Sequence, residues 1–469
     1  MKLYNTASRK IEEFKPLNPP EVGFYTCGPT VYDYTHIGHL RAFVNNDVLK
    51  RTLTFLGYKV RHIMNITDVG HLTGDSDEGE DKMEKGAIKK ATTVWELAKN
   101  YTDYFLYSID SINIKRPDIL SNATDHIPEF IEMIKTLERK GFVYQTNEAV
   151  YFDVKKFPDY GKLSGQKLED KKIAVRENVN IDAGKKNPAD FALWFKAVGR
   201  FKDHIMRWES PWGVGFPGWH IECSAMCVKY LGDTVDIHAG GVDHIAVHHE
   251  NEIAQSEATT GKQFVRYWFH NEFLLVDGKK MSKSLENFYT IDDIKKQGIN
   301  PMALRLLFLQ THYRQLMNFT WESLSATSNA YGRLVNLIRE LKQKIHEPTT
   351  VVGSDEEAKS YRQKFISAIS DDLQTPKALA VLWEITKSNI IDEEKLNLVL
   401  EIDEILGLNL KNAYSVVIEI PEEIKKLAQE REEARHAKNF SKSDELRKEI
   451  EKKGYEIKDT DKGYKISKK

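Results

Sequence analysis

The sequence predicts an α/β fold: a parallel sheet with covering helices and an insertion, then a helical bundle and a small α+β C-terminal domain. Three observations predict it. A strand-like run at 22–27, a helical segment at 38–56 and a second strand at 58–66 form a βαβ unit, the start of a parallel sheet. The sheet resumes near Val235-Asp236-Ile237-His238, which is followed by Gly240-Gly241 and a helix from about 248. From 301 to about 410 nearly every segment has helical period, as in Leu334, Leu337, Ile338 and Leu341.

Each element has a local reason. Val22 to Cys27 is apolar and β-prone, and Gly28-Pro29 turns the chain out of it. In a parallel sheet the ligand lies beyond the C-terminal ends of the strands, where Cys27, His36 and His39 emerge. Between 101 and 200 the pattern changes: helices are expected at 98–112 and 127–140, a strand at 149–154 and a polar loop at 161–187. This reads as an insertion dividing the sheet into halves at 1–100 and 201–275. A polar loop at 276–300 carries Lys280-Met281-Ser282-Lys283-Ser284. A bundle follows at 301–415. The last part, 416–469, holds a charged helix pair at 421–453 and a hairpin made of 454–458 and 463–467.

Composition sets the limits. The 469 residues are 41% hydrophobic and 29% charged, enough for two to four globular domains. No run approaches the roughly 18 apolar residues of a membrane span, and Met1-Lys2-Leu3-Tyr4-Asn5 has no signal-peptide character. Three cysteines make no disulfide framework, which fits a reducing cytoplasm. A net charge of −2 argues against bulk attraction to nucleic acid, so any such binding must use local basic surface.

Two constellations carry chemistry. His36-Ile37-Gly38-His39 places two imidazoles and a close-approach glycine at a helix N-terminus, and Lys280 and Lys283 add two loop cations. Together they suit a triphosphate. Gly240-Gly241 followed by Asp243 lets backbone approach a ribose while the carboxylate accepts from its hydroxyls. Each has a plainer reading, as a capping pair, solvated lysines or a turn. The second constellation is Cys27, Cys223, His248 and Glu252. His248 and Glu252 are four apart on a helix and share one face. Two thiolates, an imidazole and a carboxylate can ligate zinc. The cysteines can equally be small buried apolar residues, and Cys227, four after Cys223, is a rival ligand.

These residues also carry a family resemblance. Tyr25-Thr26-Cys27-Gly28-Pro29-Thr30-Val31-Tyr32-Asp33, Asn65-Ile66-Thr67-Asp68, Tyr151-Phe152-Asp153-Val154, Asp190-Phe191-Ala192-Leu193-Trp194, Gly218-Trp219-His220-Ile221-Glu222-Cys223-Ser224-Ala225-Met226 and His248-His249-Glu250-Asn251-Glu252 stand in order along the chain. With the two nucleotide motifs, the whole chain resembles the cysteinyl-tRNA synthetases, a family of class I aminoacyl-tRNA synthetases. The resemblance implies a Rossmann-like catalytic domain and one zinc per chain on Cys27, Cys223, His248 and Glu252. It implies a cysteine pocket of Tyr32, Thr67, Trp219 and His238. Its ATP-binding positions are His36, Gly38, His39, Gly240, Gly241, Asp243, Trp268, Lys280, Met281 and Lys283, with His36, His39, Lys280 and Lys283 catalytic. Magnesium would accompany ATP, tRNA(Cys) would be the acceptor, and the chain would be a monomer.

The bundle resembles the family's DALR domain through Ala303-Leu304-Arg305 and His312-Tyr313-Arg314. The C-terminus resembles its anticodon-binding domain through Arg431, Ala434-Arg435, Lys438, Phe440, Asp444 and Gly454. Met302, Ala239 and Val247 depart from the family pattern at positions outside the proposed ligand set. A zinc-dependent cysteine ligase of small-thiol biosynthesis is the nearest alternative, and it would lack the C-terminal domain. A non-catalytic RNA-binding paralogue would have damaged nucleotide motifs, which are intact here. A plain nucleotidyltransferase would need neither the zinc set nor the bundle.

Overall fold

The computed structural model describes residues 1–70, 72, 81–166, 182–345, 355–413, 421–460 and 463–468. They divide into two compact units, Met1–Leu410 and Lys411–Lys469.

The first unit is organised by a five-stranded sheet. Its elements are β1 (Glu21–Thr26), α1 (Ile37–Phe55), β2 (Lys59–Ile66), β3 (Ile119–Asn122), α2 (Trp219–Leu231), β4 (Val235–Gly241), α3 (His248–Thr260) and β5 (Val265–Asn271). The strands lie in the order β5-β4-β1-β2-β3 and every pair is parallel. This is the doubly wound arrangement, whose order reverses between β1 and β4 and opens a crevice at the strand C-termini. Register decides what lines that crevice. Tyr25 on β1 stands opposite His238 on β4, which stands opposite Trp268 on β5, so the three rings form a row.

β3 lies within the segment expected to be pure insertion. Ile119-Leu120-Ser121-Asn122 is too short to show a period, and its pairing with Ile63–Ile66 makes it a strand. The inserted part proper contributes four antiparallel strands, Val143–Gln145, Ala149–Phe152, Phe191–Lys196 and Gly215–Pro217. Phe152, Phe191 and Trp194 from these strands join Ile221 and Met226 of α2 in the central core. Part of the polar loop expected at 161–187, residues 167–181, lies outside the described residues.

The loop expected around 280 is a hairpin at its start. Leu274–Val276 pairs with Lys279–Lys280, and Asp277 (φ 49°) and Gly278 (φ 74°) form its two-residue turn. Asp-Gly is favoured there because both central residues need positive φ.

Helices α4 (Pro301–Leu309), α5 (Trp321–Lys344), α6 (Asp355–Ser370), α7 (Thr375–Lys387) and α8 (Asp392–Leu406) follow. Arg305 of α4 is fully buried and donates to the carbonyls of Leu406, Ile112 and Asn113. Gly407 makes room for it: its φ is 64°, and a Cβ there would lie 2.5 Å from the Arg305 guanidinium.

In the second unit, helices Glu422–His436 and Phe440–Lys452 and an antiparallel hairpin, Tyr455–Thr460 with Gly463–Lys468, enclose a small core of Ile424, Ala428, Ile450 and Ile457. Arg431, Arg435 and Arg447 all pair with Asp459. Among the described residues no helix is long and apolar enough to cross a membrane.

Candidate active site

The four residues expected to bind metal come together. Cys27 leaves the end of β1 with its N–H donating to the Ala239 carbonyl (3.0 Å). Cys223 sits in the second turn of α2, and α3 presents His248 and Glu252 one turn apart. Their ligand atoms all lie within 4.8 Å of one another. Cys223, His248 and Glu252 are buried, and Cys27 is half-buried. All three cysteines are free thiols, and Cys227, fully buried, belongs to neither metal-sized group found among the described residues.

The second such group overlaps the first: Cys27, His238, His249 and Glu252. Glu252 is shared because its two oxygens face different ways. Oε1 lies 2.9 Å from His248 Nε2, and Oε2 lies 2.8 Å from His238 Nε2. Burial pushes this carboxyl up, but His238 and His248 overcome it and hold it far below the usual range. Burial lowers His248, yet Glu252 and Cys223 raise it to about 10. Burial drives Cys27 to about 11.

The donor set fits zinc. Zinc–ligand bonds of ~2.0–2.3 Å in a tetrahedron put donors roughly 3.3–3.8 Å apart, and two sulfurs, one nitrogen and one oxygen are its usual partners. Oε1 of buried Glu252 accepts no aligned hydrogen bond and faces His248 Nε2 at 2.9 Å, which leaves its lone pairs available to a metal. His248 is also held from behind. Its Nδ1 meets His220 Nδ1 at 2.9 Å and Trp219 stacks on its ring at 4.3 Å, which fixes Nε2 toward the cluster.

Of the expected substrate-pocket residues, His238 meets Glu252 and Trp219 stacks on His248, so both touch the cluster. Thr67 Oγ1 donates to Glu222 Oε2 (2.8 Å), and burial pushes the Glu222 carboxyl up to about 8. The loop bearing half-buried Tyr32 is clamped beside Thr67 by the Val31 N–H to Thr67 carbonyl bond. His238 is fully buried between Tyr25 and Trp268. Trp268 itself is enclosed against His238 and His249, as a wall of the cluster.

The nucleotide motifs also meet. His36 is the N-cap of α1: its Nδ1 accepts from the N–H groups of Gly38 (3.1 Å) and His39 (3.2 Å). The capping reading is therefore correct for Nδ1, and those two N–H groups are engaged by the cap. Burial and neighbouring His39 drive His36 down to about 2, so its ring is neutral and its proton resides on Nε2, free to donate. The two imidazoles stack at 3.6 Å. Gly38 permits this crowding, since a Cβ would lie 3.0 Å from the His36 ring and 3.4 Å from the Met281 methyl. Met281 thus caps Gly38 across the full span between the motifs. Beyond Met281, Asn287 ties the loop by accepting from Ser282 N–H (2.8 Å) and donating to Lys280 carbonyl (3.2 Å). The Tyr289 carbonyl then takes the Ile37 N–H (2.9 Å).

At β4 the glycine pair is enforced by space. A Cβ on Gly240 would lie 2.6 Å from the His249 ring, and one on Gly241 2.2 Å from the Asp243 carboxylate. Lys280 lies on the exposed hairpin with its ammonium 5.9 Å from the Phe273 ring, and Lys283 pairs with Asp33.

Sequence reading missed three participants. His249 Nε2 lies 3.3 Å from Cys27 Sγ, and its Nδ1 meets His270 Nε2 at 2.7 Å. His220 orients His248, and Asp33 holds Lys283. All three stand in the quoted family motifs, but none had been given a role there.

Comparison with known proteins agrees with this arrangement. The family described as tRNA synthetases class I (C) catalytic domain matches residues 13–329. The cysteine–tRNA ligase of Treponema denticola is 44% identical, covering 98% of each chain. That of Borrelia garinii is 43% identical over 99% of each. Among solved structures, a Mycobacterium tuberculosis methionyl-tRNA synthetase bound by methionyl-adenylate superposes with a TM-score of 0.59 at 14% identity, covering 87% of this chain and 95% of that one. An Agrobacterium radiobacter LeuRS in complex with tRNA and LeuAMS gives 0.61 at 12% identity, covering 86% of each. At such identities these two attest the fold alone. The class is therefore that of the class I tRNA synthetases, ATP-dependent ligases. Within it, the chain belongs to the cysteine–tRNA ligase family.

Proposed function

We propose that the protein activates L-cysteine with ATP and transfers it to the 3′-terminal ribose of tRNA(Cys). A carboxylate oxygen of cysteine attacks the α-phosphorus, and the bond to pyrophosphate breaks. A ribose hydroxyl, the 2′ position by class, then displaces AMP from the cysteinyl carbonyl and loses its proton. Neither step needs a protein nucleophile, so the side chains supply alignment and charge. The neutral His36 would donate from Nε2 to a phosphate oxygen, with His39 stacked beside it. Lys280 and Lys283 would neutralise the departing pyrophosphate, with magnesium on ATP. Asp243 would accept from the ribose, its approach opened by Gly240 and Gly241.

Cys27, Cys223, His248 and Glu252 would hold one zinc, which supplies a thiophilic Lewis acid that lowers a thiol's pKa. Shape alone separates near-isosteres by only ~10², so a sulfur-selecting ion is the economical means of rejecting serine. Tyr32, Thr67, Trp219 and His238 would enclose the amino acid. The reading includes a monomeric, cytoplasmic protein, in keeping with three free thiols and no disulfide.

The observation that carries it is the convergence of the two-sulfur donor set and the interlocked His36 and Met281 motifs at one end of one sheet. The test is ATP–pyrophosphate exchange with cysteine, serine or no amino acid, together with zinc quantification. Exchange with cysteine alone and about one zinc per chain is expected. Absence of exchange from folded, zinc-loaded protein would reject the reading.

A further inference from the structure

Lys283 is a loop lysine with 60% of its side chain exposed, yet its ammonium is not loose. Nζ pairs with Asp33 Oδ2 at 2.5 Å and lies 5.2 Å from the centroid of the Phe288 ring. Asp33 stands three residues before His36 in the loop entering α1, and its Oδ1 accepts the Tyr34 N–H at 2.8 Å. The pair therefore bridges the segment that carries His36 and His39 and the loop that carries Lys280 and Met281.

A carboxylate at this place has the wrong sign for a phosphate neighbour, since like charges at contact repel. It must earn its position by holding a cation. Asp33 belongs to neither metal-sized group of the described residues, and the cation it does hold is Lys283. We infer that Asp33 is a positioning residue for Lys283: it parks the ammonium beside the phosphate site in the free protein and surrenders it when MgATP binds. The inference rests on the proposed function, because it needs a phosphate to receive the lysine.

The parking has a measurable cost to the nucleotide. MgATP must break the pair before Lys283 can reach it, so the free-state pair competes with ATP. Part-exposed ion pairs of this kind contribute modestly, which corresponds to about a two- to five-fold effect on affinity.

The experiment is calorimetric titration of the full chain with MgATP, without amino acid, for wild type, Asp33→Asn, Asp33→Glu, Lys283→Ala and the Asp33→Asn/Lys283→Ala double variant. Asp33→Asn is expected to bind MgATP about two- to five-fold tighter, with Asp33→Glu restoring the wild-type affinity. In the Lys283→Ala background the Asp33→Asn gain should be clearly smaller, since only the direct repulsion between the carboxylate and phosphate is then relieved. The gain should also shrink at high salt, which screens the pair. A purely structural Asp33 would show neither the Lys283 dependence nor the salt dependence. Weaker or unchanged binding by Asp33→Asn, or an equal gain without Lys283, overturns the inference and leaves the proposed function standing. A wild-type protein that binds no MgATP removes both.

Discussion

Arg305 and Asp47 are both buried, and Nη2 of one meets Oδ2 of the other at 2.5 Å. The contact ties α4 of the bundle to the middle of α1, the helix capped by His36 and carrying His39 in its first turn. Arg51 shares the same carboxylate oxygen at 2.7 Å and donates onward to the carbonyls of Glu404 and Asn113. A buried pair of this kind is weak evidence for net stability, but leaving one partner alone is costly. Asp47→Asn should therefore lower the stability of the first unit by about 3–5 kcal/mol, read from its urea midpoint, and Arg305→Met by less, because Arg51 still faces the carboxylate. The double variant should lose less than the two losses added. Strict additivity would mean that the residues act separately.

Gly38→Ala tests the contact between the motifs. The added methyl would crowd the His36 ring and the Met281 methyl while leaving the core untouched. Cysteine-dependent pyrophosphate exchange should fall roughly 10–100-fold, as expected for reacting groups displaced by about 1 Å. The thermal midpoint should stay within a few degrees of wild type. An unchanged exchange rate would mean that the motifs need not touch.

Cysteine substitutions test the donor set. Cys223→Ser should reduce bound zinc to near zero and abolish cysteine-dependent exchange together. Cys227→Ser should retain both, because Cys227 lies outside the four-residue group although it is one helical turn away. Zinc by mass spectrometry on dialysed protein decides it. Zinc loss from Cys227→Ser would move the site along α2.

A pH effect follows from Asp403. Its carboxylate accepts the N–H groups of Leu408 (2.6 Å) and Leu410 (2.7 Å), yet burial pushes the group up to about 6. A carboxyl with a higher pKa folded than unfolded binds its proton more tightly in the native state. Its contribution is thus most favourable below the unfolded value of ~3.9 and is lost as pH rises through about 6. The thermal midpoint of wild type relative to Asp403→Asn should fall between pH 4 and 6 and level off above 7. A rise over that interval would reverse the assignment.

Much of the fold is legible in the chain because local pattern and tertiary role coincide. The β1–α1–β2 unit and α3 follow their periods to within a residue or two. β3 does not, since four residues cannot display a period and only pairing with β2 defines them. The 279–280 strand carried a clear Asp-Gly signal, but the charged motif beside it read as loop. In the site, the i,i+4 spacing of His248 and Glu252 is visible in sequence. The role of His220 is not, because it depends on how α2 crosses α3. The pairing of Asp33 is hidden for the same reason: the residue ends a quoted motif, but its partner Lys283 is remote in sequence.

Cys27 precedes the inserted strands and Cys223 follows them, so the donor set spans the whole division of the sheet. During synthesis the first thiol leaves the ribosome long before its three partners, and until β4 docks beside β1 it has none of them within reach. Metal capture by the proposed donor set would then be a late event that reports completed assembly of the sheet. A chain stalled or cleaved within the insertion would hold Cys27 without Cys223, His248 and Glu252, and so would lack the proposed site altogether.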